Sequence, residues 1–456
     1  MLKFHLITDT HYYAYDELGH NSHKDQVTLN ENGAVLDAVF DKLLASGETD
    51  IVLIAGDLCN DGRAVNHFGF LKKLRRLQEG GKRVFVITAS HDYSGFNPED
   101  TKDAPGGEAR VSREELLDLY YDFGFRQALA VYEPDPLSYV ALLAPGYRLV
   151  CINGDKFSPG LYEWAASQVR SARAEGDFVF AMHHYPLVPP SPIYPLLSPG
   201  KLFDDFGGAV SGLADAGLRF VFTGHTHMQN ISSVTTAQGG RLYEINTGAA
   251  VGYPAPIRFV TVDEQQMSVT TQSIDDFAWD LQGKTVRQYL SDHFDQMLND
   301  IFDAAGSDVG RLLDLLNNEF RVNKQALMRY RLPLSMAGRF LNRVTLGGAG
   351  RLLLCYRKIP HAAKKVRLRE LMIEIVRNIY GGDEPYSRGT AVGEAVYILT
   401  GRLERLLSPV LSKVSLPFES LQGFVMSLIY DPTPDTEAVL PLYDGAEQLP
   451  AGAFSR

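Results

Sequence analysis

The sequence predicts an α/β fold followed by an all-helical C-terminal region, on three observations. Short apolar runs of strand length alternate with helix-period stretches through the first half of the chain. Several of those runs stop at an Asp or a His. After Thr285 strand patterning gives way to helical spacing.

Taken in order, FHLIT (4–8), DIVLIAGD (50–57), RVFVITA (83–89), YVALL and RLVCIN (139–153), DFVFAM (177–182) and LRFVFTG (218–224) read as strands. Between them GAVLDAVFDKLLAS (33–46), FGFLKKLRRLQEGG (68–81) and SREELLDLYYDFG (112–124) carry helical periodicity, and Ser112 with Glu115 forms a capping-box signature. Such alternation implies crossover units and a largely parallel core sheet. From about 225 to 275, RLYEINTG, RFVTVDE and MSVTTQSI alternate like antiparallel strands with one exposed face. VRQYLSDHFDQMLNDIF, VGRLLDLLNNEF, KKVRLRELMIEIVRNIY and TAVGEAVYILTGRLERLL are helical. The expected domains are therefore 1–278 and a helical C-terminal domain, 285–456, fit to be a cap or an interaction module.

Composition agrees with a globular protein. The chain of 456 residues is 45% hydrophobic and 22% charged, enough for two or three domains with proper cores. No apolar run approaches the ~18 residues of a membrane span, and MLKFHLITDTHYY enters a strand without a basic, then apolar, leader. The expected location is cytoplasmic. Cys59, Cys151 and Cys355 are too few and too scattered for a disulfide framework or a Cys-based zinc site. Charge is uneven: residues 1–300 hold 24 Lys+Arg against 39 Asp+Glu, a net −15, and residues 301–456 hold 20 against 16, a net +4. Within the second part the stretch from Arg321 to Arg369 has no acidic residue. It reads as solvated helix faces or as pairing for the acidic body; a phosphate-backbone track is the less favoured reading, because no aromatic series for base stacking accompanies it.

The strand ends carry the chemistry. Asp9-Thr10-His11, Gly56-Asp57, Ser90-His91-Asp92, His183-His184 and Gly224-His225-Thr226-His227 each follow an apolar run, and ligands of open α/β sheets bind beyond the carboxyl ends of strands. One His at a strand end is usually only hydrogen-bonded; five such ends together are not coincidence. Mixed Asp and His ligands suit divalent Mn, Fe or Zn. Two metals ~3.5–4 Å apart need a carboxylate able to bridge them, which Asp57 on a tight turn after glycine can supply, and alternate residues in His-Thr-His can serve one metal each.

These blocks resemble those of the calcineurin-like metallophosphoesterases over roughly residues 1–275, and the stretches GDLCNDGR, LYEWAASQ, MHHYP and NTGAAVGYP are most similar to the class III cyclic-nucleotide phosphodiesterase type, of which a bacterial subgroup also carries a helical C-terminal domain. The resemblance implies a two-sheet metallophosphoesterase sandwich with flanking helices and two divalent metal ions. It implies that Asp9, His11 and His227 hold the first metal, that Asp57 bridges, and that His183 and His225 hold the second. His91 would contact the phosphate and protonate the leaving alcohol after attack by a bridging hydroxide, with Asp92 orienting its imidazole. His184 is expected beside the ligands, and Tyr93 and His184 as substrate contacts.

Ser90 is expected at the second metal as a shorter, poorer ligand and departs from the family, whose Asn at this position gives a carbonyl oxygen to that metal; Ala89 likewise replaces a glycine. Asn60, three residues after Asp57, stands where an iron-tyrosinate phosphatase needs Tyr, which removes that branch. Two long loops, 12–32 with His20 and His23 and 185–201, are candidate specificity elements. The expected activity is hydrolysis of a small phosphodiester or nucleotide. Left open are phosphomonoesterase or nuclease activity, or a phospholigand binder weakened at Ser90.

Overall fold

A computed structural model describes residues 1–21, 26–93, 109–155, 157–194, 202–320, 324–411 and 418–443. His23 and the loop residues 195–201 lie outside the described residues. The chain forms two compact units: Met1–Pro190, Lys201–Ser291 and Asp435–Arg456 make one, and Ser191–Gly200 with Asp292–Pro434 the other.

The first unit is built on two mixed sheets. One contains β1 (Leu2–Ile7), β2 (Ile51–Ala55), β3 (Arg83–Ile87), β11 (Ile257–Val262), β12 (Gln266–Gln272) and β13 (Glu437–Pro441), in the order β13-β12-β11-β1-β2-β3. The other contains β4 (Ala130–Val131), β5 (Tyr139–Ala144), β6 (Tyr147–Ile152), β7 (Phe178–His183), β8 (Phe220–Thr223), β9 (Asn230–Thr235) and β10 (Arg241–Asn246), in the order β4-β5-β6-β7-β8-β10-β9. Strands β1, β2 and β3 are parallel, as are β6, β7, β8 and β10. The near-continuous apolar sequences of β2 and β8 follow from burial on both faces. Between the sheets the Phe4 ring stands 5.3 Å from that of Phe222 and 5.9 Å from that of Phe180, both edge-on.

Helices cover the outer faces. Asn32–Ala45 and Ala64–Glu79 are the crossovers of the first sheet, and Pro159–Ala174 lies against β6 and β7, burying Leu161, Tyr162 and Ala165 with Val179 and Ala181. The Glu115 carboxylate accepts from the Ser112 amide, the reach-back that the capping-box spacing predicts. The three cysteines are buried and free.

Helices run from Val286 to Ile429, including Val286–Ser307, Val309–Phe320, Arg331–Arg343, Leu368–Gly381 and Ala391–Leu411. Leu346, Ile359, Leu371, Ala395, Leu399 and Ile429 form a core within the second unit. Helical patterning does not continue through the rest of the described chain. Residues Glu437–Pro441 form β13, which pairs antiparallel with β12 and places Met267 opposite Leu440.

Candidate metal centre

The loops after β1 and β2 stay zipped together beyond the strands, and this brings their side chains side by side. The Asp9 amide donates to the Gly56 carbonyl at 3.1 Å and the His11 amide to that of Asp57 at 2.9 Å. On the other sheet the Gly224 amide donates to the His184 carbonyl at 2.9 Å, which ties the loop after β7 to the loop after β8. The two pairs meet where the His225 amide donates to Asp9 Oδ2 at 3.0 Å.

Two of the motif glycines are required by close approach. A Cβ on Gly56, whose φ is +91°, would fall 2.7 Å from His184 Nδ1; one on Gly224 would strike the Thr8 hydroxyl and the Asp9 carboxylate. Asp9, His11, Asp57, His225 and His227 all hold left-handed φ, between 36° and 69°. Non-glycine residues seldom adopt this conformation, and its concentration here marks a site that the surrounding hydrogen bonds over-determine.

Six side chains converge in two groups, Asp9 with His11 and His227, and Asp57 with His184 and His225, the ligand atoms of each group lying within 4.8 Å of one another. Asp57 Oδ2 lies 3.0 Å from His184 Nε2 and 3.8 Å from His11 Nε2, so it faces both groups. His227 Nε2 is 3.3 Å from Asp9 Oδ1.

The donor set fits cations. His11 Nε2 and His227 Nε2 face each other at 3.2 Å, and two imidazole nitrogens with converging lone pairs can be satisfied together by a metal ion. Buried His184 Nε2 makes no well-aligned hydrogen bond, while its Nδ1 is held by the Ala55 carbonyl at 2.8 Å, which fixes the ring. Burial lowers His11 and drives His225 down to about 3, so these imidazoles are neutral with lone pairs to offer. Burial also acts to raise Asp9 and Asp57, but the surrounding imidazoles outweigh it and hold both carboxyls well below their usual range. For His184 burial works downward, and the Asp57 and Asp9 charges overcome it, raising the ring to about 10.

Three expectations from sequence are corrected. The histidine in the second group is His184, not His183. The His183 ring bonds Tyr162 Oη through Nε2 at 2.9 Å and the Tyr185 carbonyl through Nδ1 at 2.5 Å, on the helix-covered side of its sheet. His184, expected as a substrate contact, is placed within the cluster. Asp92 does not hold the His91 imidazole: its oxygens accept from the Cys59 and Ala89 amides, each at 2.8 Å, and so fix the loop. Burial and the Asp57 charge push its carboxyl up.

His91 is exposed, its ring 4.9 Å from that of His11 and edge-on to it, and its amide donates to Asp57 Oδ1 at 3.1 Å. Ser90 is half-buried on the single 3-10 turn Ser90–Asp92. Tyr93 is buried, donating its hydroxyl to Asp155 Oδ2 at 3.0 Å under the Arg113 guanidinium; that hydroxyl is committed to the protein rather than open to a ligand. Tyr12 packs near Phe70, Tyr13 is bonded to the Gly19 carbonyl and His20 is exposed.

Sequence reasoning missed a buried polar scaffold beneath the loops. Asn246, at the end of β10, donates to the Gly224 carbonyl at 2.8 Å and to the Thr223 hydroxyl at 2.9 Å, and accepts from the Thr226 hydroxyl at 2.8 Å. Glu244 accepts from the Leu187 and Val188 amides at 2.9 and 2.7 Å and from the Thr223 hydroxyl at 2.8 Å. Buried Arg258 donates to the Asn246 carbonyl at 3.1 Å and to the Asp435 carbonyl. Both Glu244 and Asn246 point inward from a strand whose alternation predicts apolar residues there, and this misfit was the available signal.

No curated protein sequence matches the chain. Solved structures with a similar arrangement include a dimetal phosphatase from Danio rerio (13% identity, TM-score 0.43, covering 61% of this chain and 98% of that one). They also include purple acid phosphatase PPD1 from yellow lupin, Lupinus luteus (11%, 0.41, 59% and 51%), and a putative 5'-nucleotidase from Staphylococcus aureus (12%, 0.38, 81% and 71%). The family model for calcineurin-like phosphoesterases matches residues 2–229, a span that contains all six clustered side chains. By that match the chain belongs to the calcineurin-like phosphoesterase family and is a metal-dependent phosphoesterase.

Proposed function

We propose that the protein is a dinuclear-metal phosphodiesterase in which His91 is the general acid. The observation that carries this reading is the placement of the exposed His91 imidazole against His11, with its amide anchored on the carboxylate that faces both groups. Asp9, His11 and His227 would hold one divalent ion, His184 and His225 the other, and Asp57 both. When bound, the ions supply Lewis acidity toward water and toward the phosphoryl oxygens. The protein's part is orientation: zipped loops fix the ligands before substrate arrives, and His91 stands where it can give a proton to a departing alkoxide.

The second position has one ligand fewer than the family pattern, since a serine hydroxyl is shorter than an asparagine carbonyl. Ser90 thus tunes that position toward weaker binding. The sequence stretches most similar to the class III type support a cyclic nucleotide as the substrate. The domain limits 1–278 and 285–456, drawn from the change of periodicity after Thr285, are amended by the return of β13 to the first sheet.

The test is hydrolysis of an aryl phosphodiester and an aryl phosphomonoester with added Mn²⁺, run on this sequence and on Ser90→Asn. Diester turnover by both proteins, abolished by chelation and restored by Mn²⁺, supports the proposal. Monoester turnover alone would move the assignment to a phosphomonoesterase, and activity in the Asn form alone would overturn catalysis by this chain and turn the search from products to bound ligands.

A further inference from the structure

The acid-free basic stretch from Arg321 to Arg369 is not used by the metal centre. Part of it pairs inside its own unit: Lys324 with Asp314, Arg369 with Asp303 and Asn299, and Arg367 with Glu370. Arg329, Arg331, Arg339 and Arg343, which sit on or next to the helix Arg331–Arg343, have no acidic partner among the described residues.

That helix has one committed face. Gly338 lies so close to Ala305 that a Cβ there would collide with its carbonyl, and Asn342 donates to the Phe302 carbonyl at 2.6 Å. At ~100° per residue, Leu332, Met336, Phe340 and Arg343 fall ~120–160° away from Gly338, on the opposite side. Leu332 is 69% exposed, Met336 72% and Phe340 38%. The spacing i, i+4, i+8 makes them one apolar stripe, with Arg343 within its arc and Arg339 at its edge. The next segment repeats the composition. Leu354 is 84% exposed in a left-handed conformation that side chains seldom adopt, with Leu352 also exposed, among exposed Arg351, Arg357 and Lys358.

An apolar stripe flanked by cations and free of acids fits an interface that is itself apolar below and anionic above. A nucleic acid would reward the cations but not aliphatic side chains, and the stretch offers no aromatic series for stacking. We propose that this face docks on an anionic lipid surface, the stripe entering the acyl boundary and the arginines meeting lipid phosphates.

The experiment is flotation of the full chain with vesicles of equal parts phosphatidylglycerol and phosphatidylcholine, and with phosphatidylcholine alone. The protein should float with the anionic vesicles only, and salt should weaken it. The double change Met336→Glu, Phe340→Glu should lower partitioning ~10-fold or more, and Arg343→Glu ~5-fold. Circular dichroism and aryl-ester turnover report folding and should not change. Absence of flotation overturns the proposal, as does flotation that the apolar variants leave intact, which would mean simple charge attraction. A dimer in solution that Met336→Glu dissociates would assign the face to a second copy of the chain, and duplex DNA binding with no flotation would assign it to nucleic acid.

Discussion

His184 Nε2 lies 3.0 Å from Asp57 Oδ2, while the preceding His183 turns its ring to Tyr162 on the far side of the sheet. Adjacent histidines therefore have separate work. His184→Ala should lose close to one of two bound metal equivalents and cost ~10–100-fold in turnover. His183→Ala should keep its metal and instead lower thermal stability, because its buried bonds to the Tyr162 hydroxyl and the Tyr185 carbonyl are lost. Metal analysis of the purified variants beside melting curves separates the two, and loss of metal from the His183 variant alone would reverse the assignment.

The position of His91 predicts a leaving-group signature. His91→Ala should reduce turnover of alkyl phosphodiesters ~10²–10⁴-fold. Esters of p-nitrophenol, which depart without a proton, should lose far less. Equal losses on both substrates, at unchanged metal content, would give His91 a role in binding phosphate rather than in proton transfer.

Asn246 holds three groups of the loop that carries His225 and His227. Asn246→Ala leaves the Gly224 carbonyl and two hydroxyls without this partner, at a cost of ~2–4 kcal/mol. Beyond the lower melting temperature, the metal concentration needed for half-maximal activity should rise with little change in the saturated rate. A change in the saturated rate alone would mean that the residue acts on the chemical step.

Glu244 gives a pH dependence whose sign can be worked out. Burial pushes its carboxyl from 4.5 up to about 8, against three hydrogen bonds that work to lower it. The folded chain therefore holds a proton that the unfolded chain releases between those values, and stability is lost as pH rises through that window. Glu244→Gln, which keeps the shape and can donate to the Thr223 hydroxyl, should remove ~2–4 kcal/mol of this decline. Parallel melting temperatures for the two proteins from pH 5 to about 9 would contradict the assignment.

Much of the site was legible because its clustered side chains sit where strands stop, and apolar runs that end in Asp or His are visible without structure. Asp9, His11, Asp57, His225 and His227 come together as their motifs imply. The choice between His183 and His184 depended on side-chain parity. Val179 and Ala181 face the helix Pro159–Ala174, and His183 shares their face. Phe180, on the other parity, meets Phe4 between the sheets, and His184 continues that side. FVFAMHH contains this alternation, but pairing by resemblance overrode it. The resemblance assigns Asp92 to the His91 imidazole, whereas the turn aims its carboxylate back at two amides. Strand β13 has only five residues and takes its identity from β12, a partner that no local pattern reveals.

That strand has a consequence for the order in which the molecule is made. Every clustered side chain, from Asp9 to His227, leaves the ribosome well before Asp435 does, with residues Asp292–Pro434 of the second unit translated in between. Until then the guanidinium of Arg258, buried under Asn246, lacks the carbonyl of Asp435, and the start of β9 at Asn230 and Ile231 lacks its carboxylate. The helical unit is thus an insertion within the first sheet rather than a trailer behind it. A nascent chain carries the six clustered side chains early, whereas the bonds that tie Asp435 to Arg258, Asn230 and Ile231 close late, so a chain cut anywhere in the helices would lack them.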